Sequence, residues 1–203
     1  MLLALDTSSA ACSAALFDAA GTLLARRDEV IGRGHSERLV PLIEELLEGR
    51  VANRILVGVG PGSFTGIRVG IAAAHGLAIG WSAEIAGMSS LALLAASVRQ
   101  EGEVAAAIIG GHGELFVQQF DAMTAAPASK LLSLVPAAAA AAVTAKLVIG
   151  SGAGQLVAER GWGEARDGFP AAADALRLPE PSRTLAPSPV YARAPDARPK
   201  VAA

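Results

Sequence analysis

Ile55-Leu56-Val57-Gly58-Val59 runs directly into Gly60-Pro61-Gly62-Ser63, and Phe64-Thr65-Gly66-Ile67-Arg68-Val69-Gly70 follows. A short apolar run closed by glycine and proline suits a strand buried on both faces and ended by a sharp turn. Ser63 stands where a helix cap belongs, and the pattern predicts a helix from about Phe64 to Ile79. Its faces are unusually small, with Gly66, Gly70, Ala72, Ala73, Ala74, Gly76 and Ala78. Glycines let the backbone turn, and a helix start exposes N–H groups that favour an anion. Two readings stay open from the residues alone: a structural turn with its cap, or a contact to a phosphate or a partner. The stretch is not a Walker loop, because no Lys-Ser/Thr follows the last glycine. It is not a Rossmann fingerprint either: Gly58, Gly60 and Gly62 are too close together, and no Asp occurs between Asp28 and Asp121.

Upstream of this unit, Leu2-Leu3-Ala4-Leu5 is an apolar run closed by Asp6-Thr7-Ser8-Ser9. Ala11 to Phe17 and Thr22 to Val30 read as two further strands, and the tight connections make an antiparallel meander. A helix capped by Ser36 follows, with Leu39, Leu42, Ile43, Leu46 and Leu47 on one face. Downstream, a short strand near Ala83–Ala86 precedes a helix from about Ser89 to Val98. The order β-β-β-α-β-α-β-α suggests a mixed sheet with helices packed on it. Glu101-Gly102-Glu103 is a plausible boundary, giving a first domain over 1–100 and a smaller second one over 101–203. In the second, Val104–Ile109 and Glu114–Phe120 flank Gly110-Gly111-His112-Gly113, a hairpin pattern. Lys146 to Gly152 reads as a strand and glycine turn opening a helix near Gln155–Arg160. Ala137–Ala142 reads as helix or linker. No repeat of fixed period is evident. The proline-rich stretch from Pro179 to Pro199 should be extended and partly mobile.

Composition narrows the function classes. The 203 residues carry a net charge of −2, so no strongly basic field exists to hold a nucleic-acid backbone unaided. The two uncharged runs, Val69–Ala83 and Leu131–Ala145, are shorter than the roughly 18–20 residues that span a bilayer. No basic segment precedes Leu2–Leu5, so a signal peptide is not expected. The lone Cys12 fits a reducing cytoplasm, where we expect the chain, and its place in a strand suits a buried thiol rather than a nucleophile. Asp6 at a strand end has the chemistry to hold a hydrated Mg²⁺, with Thr7 and Ser8 beside phosphates; an Asp capping its own turn is the plainer reading. Gly150–Gly154 offers a backbone for a flat ligand, or simply a turn. His35, His75 and His112 have no ligand spacing for zinc. Residue chemistry alone gives no catalytic constellation and points to binding or scaffolding.

Three stretches together are more specific. Leu3-Ala4-Leu5-Asp6-Thr7-Ser8, His35-Ser36-Glu37-Arg38-Leu39 and Gly58 through Gly70 resemble the TsaB family, also called YeaZ, over roughly the first 95 residues. Val148–Ala153 and Pro189-Val190-Tyr191-Ala192-Arg193 also match family habits. The resemblance implies an actin-like ATPase fold of RNase-H-like type (the ASKHA fold), with two small subdomains of mixed sheets and flanking helices. It implies a non-catalytic dimerisation and activating subunit of a TsaD-type complex, which makes N6-threonylcarbamoyladenosine beside the tRNA anticodon. The catalytic relative carries a His-x-x-x-His metal pair where this chain has Ser89 and Leu93. The resemblance therefore implies a TsaD-like catalytic subunit and a TsaE-like ATPase as partners. It also implies a homodimer when the chain is alone, and tRNA contact only through the complex. It implies no membrane and no tightly bound cofactor; ATP belongs to the complex, with room for weak nucleotide affinity here. The expected interface is the helix pair Ser36–Leu47 and Phe64–Ile79, through Arg38, Leu42, Glu45, Ile67, Gly70, Ile71, Ala74 and Ala78. The motif residues open to a phosphate are Asp6, Thr7, Ser8, Gly60, Gly62, Ser63, Thr65, Gly66 and Arg68. The chain departs from the family at Gly110-Gly111-His112, where many members have Asp-Ala-Arg before the residue matching Glu114. It departs again in the short span between Gln155 and Tyr191. The rival readings are a small sugar-kinase-like phosphotransferase, with Asp6 on Mg²⁺ and Gly150–Gly154 on adenine, and a metalloprotease.

Overall fold

The computed structural model describes residues 1–192; Arg193 and the part of the proline-rich stretch beyond it lie outside. Leu2–Asp6 forms β1, which is buried along its whole length, as an unbroken apolar run requires. Ala11–Phe17 (β2) and Leu23–Val30 (β3) complete an antiparallel meander with it. His35–Leu47 is α1, Arg54–Gly58 is β4, Phe64–Trp81 is α2 and Glu84–Met88 is β5. Both β4 and β5 run parallel to β1, giving the order β3-β2-β1-β4-β5. Ser90–Ala96, α3, leads to the second half.

That half repeats the first. Glu103–Ile109 (β6), Leu115–Asp121 (β7) and Leu132–Leu134 (β8) make a second antiparallel meander. Pro136–Ala142 (α4), Leu147–Ile149 (β9), Ala153–Arg160 (α5) and Glu164–Arg166 (β10) follow. With β6–β9 and β9–β10 parallel, the order is β10-β9-β6-β7-β8. Read from the opposite edge, this is the order of the first sheet. In each half the first strand is central, a meander grows on one side, and two helix-linked parallel strands extend the other.

Three apolar layers hold the halves together. The layer under α1 and α2 takes Leu3, Leu5, Leu16, Ile55 and Val57 from the first sheet. The layer under α4 and α5 takes Ala105, Ala107, Leu115 and Val148 from the second. Between the sheets, every residue of α3 is buried, packed with Leu2, Ala4 and Leu56 on one side and Val104, Ala106 and Ile149 on the other. The expected Ala137–Ala142 segment is helical, as α4.

Two local expectations differ. Ser36 does not cap α1. Gly34 holds the cap position at φ 90°, and the Ser36 hydroxyl donates to Glu37. Ser63 and Ser89 do cap α2 and α3, accepting from the N–H groups of Gly66 and Ala92. The second unit drawn over 101–203 also does not stay together. After β10 the chain returns to the first sheet: Ala172 N–H donates to Ser13, Leu185 bridges Gly87, and Val190 N–H donates to Val59. The described part of the stretch after Pro179 is thus tied to the first sheet at Leu185 and Val190. Among the described residues no helix is long and apolar enough to cross a membrane.

Candidate functional site

β1 ends at Asp6, and the loop after β4 ends at the start of α2. The two loops are bound together. The Ser8 N–H and hydroxyl donate to Asp6 Oδ1 at 2.8 and 2.7 Å, and the Ser90 hydroxyl donates to Asp6 Oδ2 at 2.6 Å. Ser90 also accepts from Gly60 N–H at 3.2 Å and donates its own N–H to Gly60 O at 3.1 Å. Ser63 N–H donates to Ser8 O at 2.6 Å, and the Thr7 hydroxyl donates to Gly66 O at 2.7 Å. The glycines permit this approach. A Cβ on Gly66 would sit 3.2 Å from the Thr7 carbonyl carbon and closer still to its oxygen. On Gly62 it would meet the Ser8 carbonyl in the same way.

The sequence-expected motif residues are therefore brought together, and the structural reading of the turn has the stronger support. Asp6, Thr7 and Ser8 are buried, and their polar atoms meet partners inside the protein. The N–H groups of Ser8, Gly60, Ser63 and Gly66 all donate within the chain, which removes them from a phosphate cradle. Burial pushes the Asp6 carboxyl above its ordinary range, while the Ser90 and Ser8 bonds pull it back. Thr65 is exposed on the first turn of α2. Arg68 lies against the Phe64 ring, its guanidinium 3.3 Å from the ring centroid, and bonds the Tyr191 hydroxyl. Gly150–Gly154 turns against the second sheet, where Gly152 N–H donates to Ala107 O at 2.9 Å. A Cβ on Gly150 would lie 3.2 Å from the Ala107 carbonyl carbon.

The expected interface residues fare differently. Leu42, Ile67, Gly70, Ile71, Ala74 and Ala78 all face the chain's own core beneath α1 and α2. The physical reason is that small and apolar residues stand on every side of α2, and only Thr65, Arg68 and His75 mark the outward one. The outward face carries Ala72, His75, Gly76, Ile79 and Gly80; Ile79 is 82% exposed, nothing lies near Gly76 or Gly80, and the His75 ring meets Pro187 O at 3.3 Å. Arg38 and Glu45 are not free probes of that surface either. Arg38 bonds both carboxylate oxygens of Glu29 at 2.6 Å and bonds Glu45 at 2.8 Å, tying β3 to α1. These bonds hold both carboxyls below their usual range.

Among the described residues no three His, Cys, Asp or Glu side chains group to hold a metal. His35, His75 and His112 sit on separate elements. Ser89 caps α3, and Leu93 is wholly buried in the middle layer. Cys12 is buried, and burial, with Glu29 adding, pushes its thiol up to about 11. Sequence reading missed Ser90, which joins Asp6 to Gly60, and the Phe64–Tyr191 enclosure of Arg68. The Ser89-Ser90 pair at a helix start was the available signal for the first; nothing local announced the second.

Two RNase-H-like halves duplicated around one buried helix define an actin-like α/β protein. A sequence model described as "TsaD: tRNA N6-adenosine threonylcarbamoyltransferase" matches residues 28–151. The chain is 37% identical over 127 residues to the tRNA threonylcarbamoyladenosine biosynthesis protein TsaB of Escherichia coli, covering 59% of this chain and 54% of that protein. It is 39% identical over 127 residues to the Haemophilus influenzae TsaB, covering 58% and 52%. It thus spans about half the length of the curated relatives it matches. The solved structure of YeaZ from Pseudomonas aeruginosa superposes with a TM-score of 0.76 at 32% identity, over 94% of this chain and 98% of that one. The chain belongs to this TsaD-type family and, within it, to the TsaB (YeaZ) branch.

Proposed function

We propose that this chain is a non-catalytic subunit that activates a TsaD-like transferase making N6-threonylcarbamoyladenosine in tRNA, in the cytoplasm. The observation that carries the reading is at α3. Where the catalytic relative is expected to hold metal with two histidines, Ser89 caps the helix and Leu93 fills the core. Neither can replace an imidazole ligand. The phosphotransferase alternative has less support, because Asp6 is shut in by three donors rather than open to a Mg²⁺.

The partner surface is the outward face of the α1–α2 layer. Ala72, Gly76 and Gly80 keep that side of α2 low, so a second helix pair can approach closely; Ile79 and Val40 provide apolar side chains. A standard interface of roughly 1,600 Å² in total takes about 800 Å² from each partner. The same face serves a TsaD-like subunit or, in the isolated chain, a second copy. A TsaE-like ATPase and tRNA join through the complex, which supplies the ATP chemistry.

The test is complementation of a strain lacking its own subunit, with tRNA nucleosides measured by mass spectrometry. Gly76→Arg and Ile79→Asp should fold normally by circular dichroism. Combined, they should cut both partner binding and the modified adenosine at least about tenfold, the cost of burying an unpaired charge at an interface. Ala74→Glu is the contrast: it places the charge in the subunit's own core and should unfold it. Full modification by a folded Gly76→Arg/Ile79→Asp variant would exclude this face.

A further inference from the structure

The motif loops leave a large feature unused. Between the two sheets, at the open end above Ser8 and Gly110, lies a cleft of about 700 Å³. That is within the 300–1,000 Å³ range of small-molecule sites. Its walls are apolar: Ile67 and Phe64 from the first half, Ile108 and Phe116 from the second, with Phe169 and Val190 closing it. Its polar groups are biased toward donors. Ser9, Ser63 and Ser151 each accept a backbone N–H, from Ala11, Gly66 and Ile109. Each keeps its hydroxyl hydrogen, which meets no acceptor among the described residues. Arg68 also lines the cleft, and no described carboxylate lies within ion-pairing distance of it. Glu114 is on the wall from the second half, where one oxygen already accepts from Ser133.

We infer that this cleft binds a compact amphipathic anion, an apolar body with a carboxylate or sulfonate head. The body fits between Ile67, Ile108 and Phe116, and the head meets Arg68 and the serine hydroxyls. A cation stacked on an aromatic ring and freed of a carboxylate partner attracts an anion more strongly in a partly dry site than at the surface. A nucleoside triphosphate is a poorer fit. Its phosphates need the backbone N–H groups of Ser8, Gly60, Ser63 and Gly152, and each of these already donates within the chain. The inference does not depend on the tRNA-modification reading.

The probe is 8-anilinonaphthalene-1-sulfonate, titrated into the folded full chain and followed by fluorescence. Octanoate and Mg-ATP serve as competitors, and isoleucine methyl NMR locates the bound probe. Saturable one-to-one binding is expected, displaced by octanoate but not by an equal concentration of Mg-ATP, with methyl shifts at Ile67, Ile108 and Ile109. Arg68→Gln should weaken it about tenfold, as loss of a charge-assisted contact does. Because Arg68 also holds Tyr191, Ile109→Glu at the half-exposed rim is the second variant. It should weaken binding similarly without lowering the melting temperature, while Met123→Asp, exposed and outside the cleft, leaves binding unchanged. Absence of saturable binding, displacement by Mg-ATP in preference to octanoate, or undiminished affinity in a folded Ile109→Glu variant would each overturn the inference.

Discussion

Gly66→Ala is expected to destabilise the chain by about 4 kcal/mol, lowering the melting temperature by roughly 10 °C for a protein of this size. On helix propensity alone the change should help, because alanine is favoured over glycine in a helix interior by about 1 kcal/mol. The close approach of β1 reverses the sign. The new methyl would overlap the Thr7 carbonyl oxygen, with the carbonyl carbon 3.2 Å away. The neighbour is backbone rather than the flexible end of a side chain. Thr7 cannot retreat without losing its hydroxyl bond to Gly66 O and disturbing the buried run through Leu5 and Asp6. The control lies three turns along the same helix. Nothing stands within 4 Å of a Cβ on Gly76. Gly76→Ala should therefore stabilise by about 0.4–1 kcal/mol. Thermal denaturation of both variants checks the argument. Equal effects, of either sign, would show that the glycines act through helix propensity and not through the contact with β1.

The same comparison explains which parts of the fold were legible in the sequence. β1 and β4 were readable because continuous short apolar runs have few alternatives. The buried stripe of α1 was readable because Glu37, Glu44 and Glu48 mark its outer side. α2 has only sparse markers, Arg68 and His75, which lie on the outward side with Ala72 and Ile79. Its exposed Ala72 and Gly76 and its buried Ala74 and Gly70 are chemically alike, so the interface residues were placed on the inner face. The cap of α1 falls at Gly34 and not Ser36, because Gly34 takes the left-handed conformation that begins the helix and Ser36 is already the second residue of the first turn. The duplication was invisible for another reason. β1, Leu-Leu-Ala-Leu-Asp, and β6, Glu-Val-Ala-Ala-Ala-Ile-Ile, hold equivalent central places in their sheets while sharing a pattern of burial rather than residues. Tertiary position, not local sequence, carries the repeat.

The candidate site divides the same way. The Gly-Pro-Gly turn and its Ser63 cap are local and were readable. Their meaning depends on Ser90, 84 positions from Asp6. No local rule couples residues at that separation. The cleft between the halves joins Arg68 and Ser151, each in a stretch that stood out by itself, to Ser9 and Phe116, which did not, and no local pattern brings the four together. The return of Val190 to Val59 was equally hidden, because a proline-rich stretch has no periodicity from which to read a docking partner.

Asp6→Ala should cost about 3–5 kcal/mol, the second large effect. It leaves the Ser8 N–H, the Ser8 hydroxyl and the Ser90 hydroxyl facing a buried void, and each orphaned donor carries a penalty of about 1–3 kcal/mol that overlaps with the others. Ser90→Ala should cost about 2–4 kcal/mol, since it strands one Asp6 oxygen and the Gly60 N–H together. The two changes share a network, so the double variant should be less destabilised than the sum by at least about 1 kcal/mol. Urea unfolding of the four proteins measures this, and strict additivity would mean that Ser90 does not act through Asp6. The carboxyl adds a dependence on pH. Its native pKa is raised, so on leaving acid the unfolded chain ionises first while the native group resists. The native state then binds more protons than the unfolded one, and stability falls as pH rises through this interval until the native group ionises as well. Asp6→Asn, which cannot titrate, should flatten that part of the profile. If Asp6 is a structural post, Asp6→Asn should also keep partner binding and tRNA modification at the level of the unaltered chain. A folded Asp6→Asn protein that binds its partner normally and yet abolishes the modified adenosine would give Asp6 a chemical role and return the phosphotransferase reading.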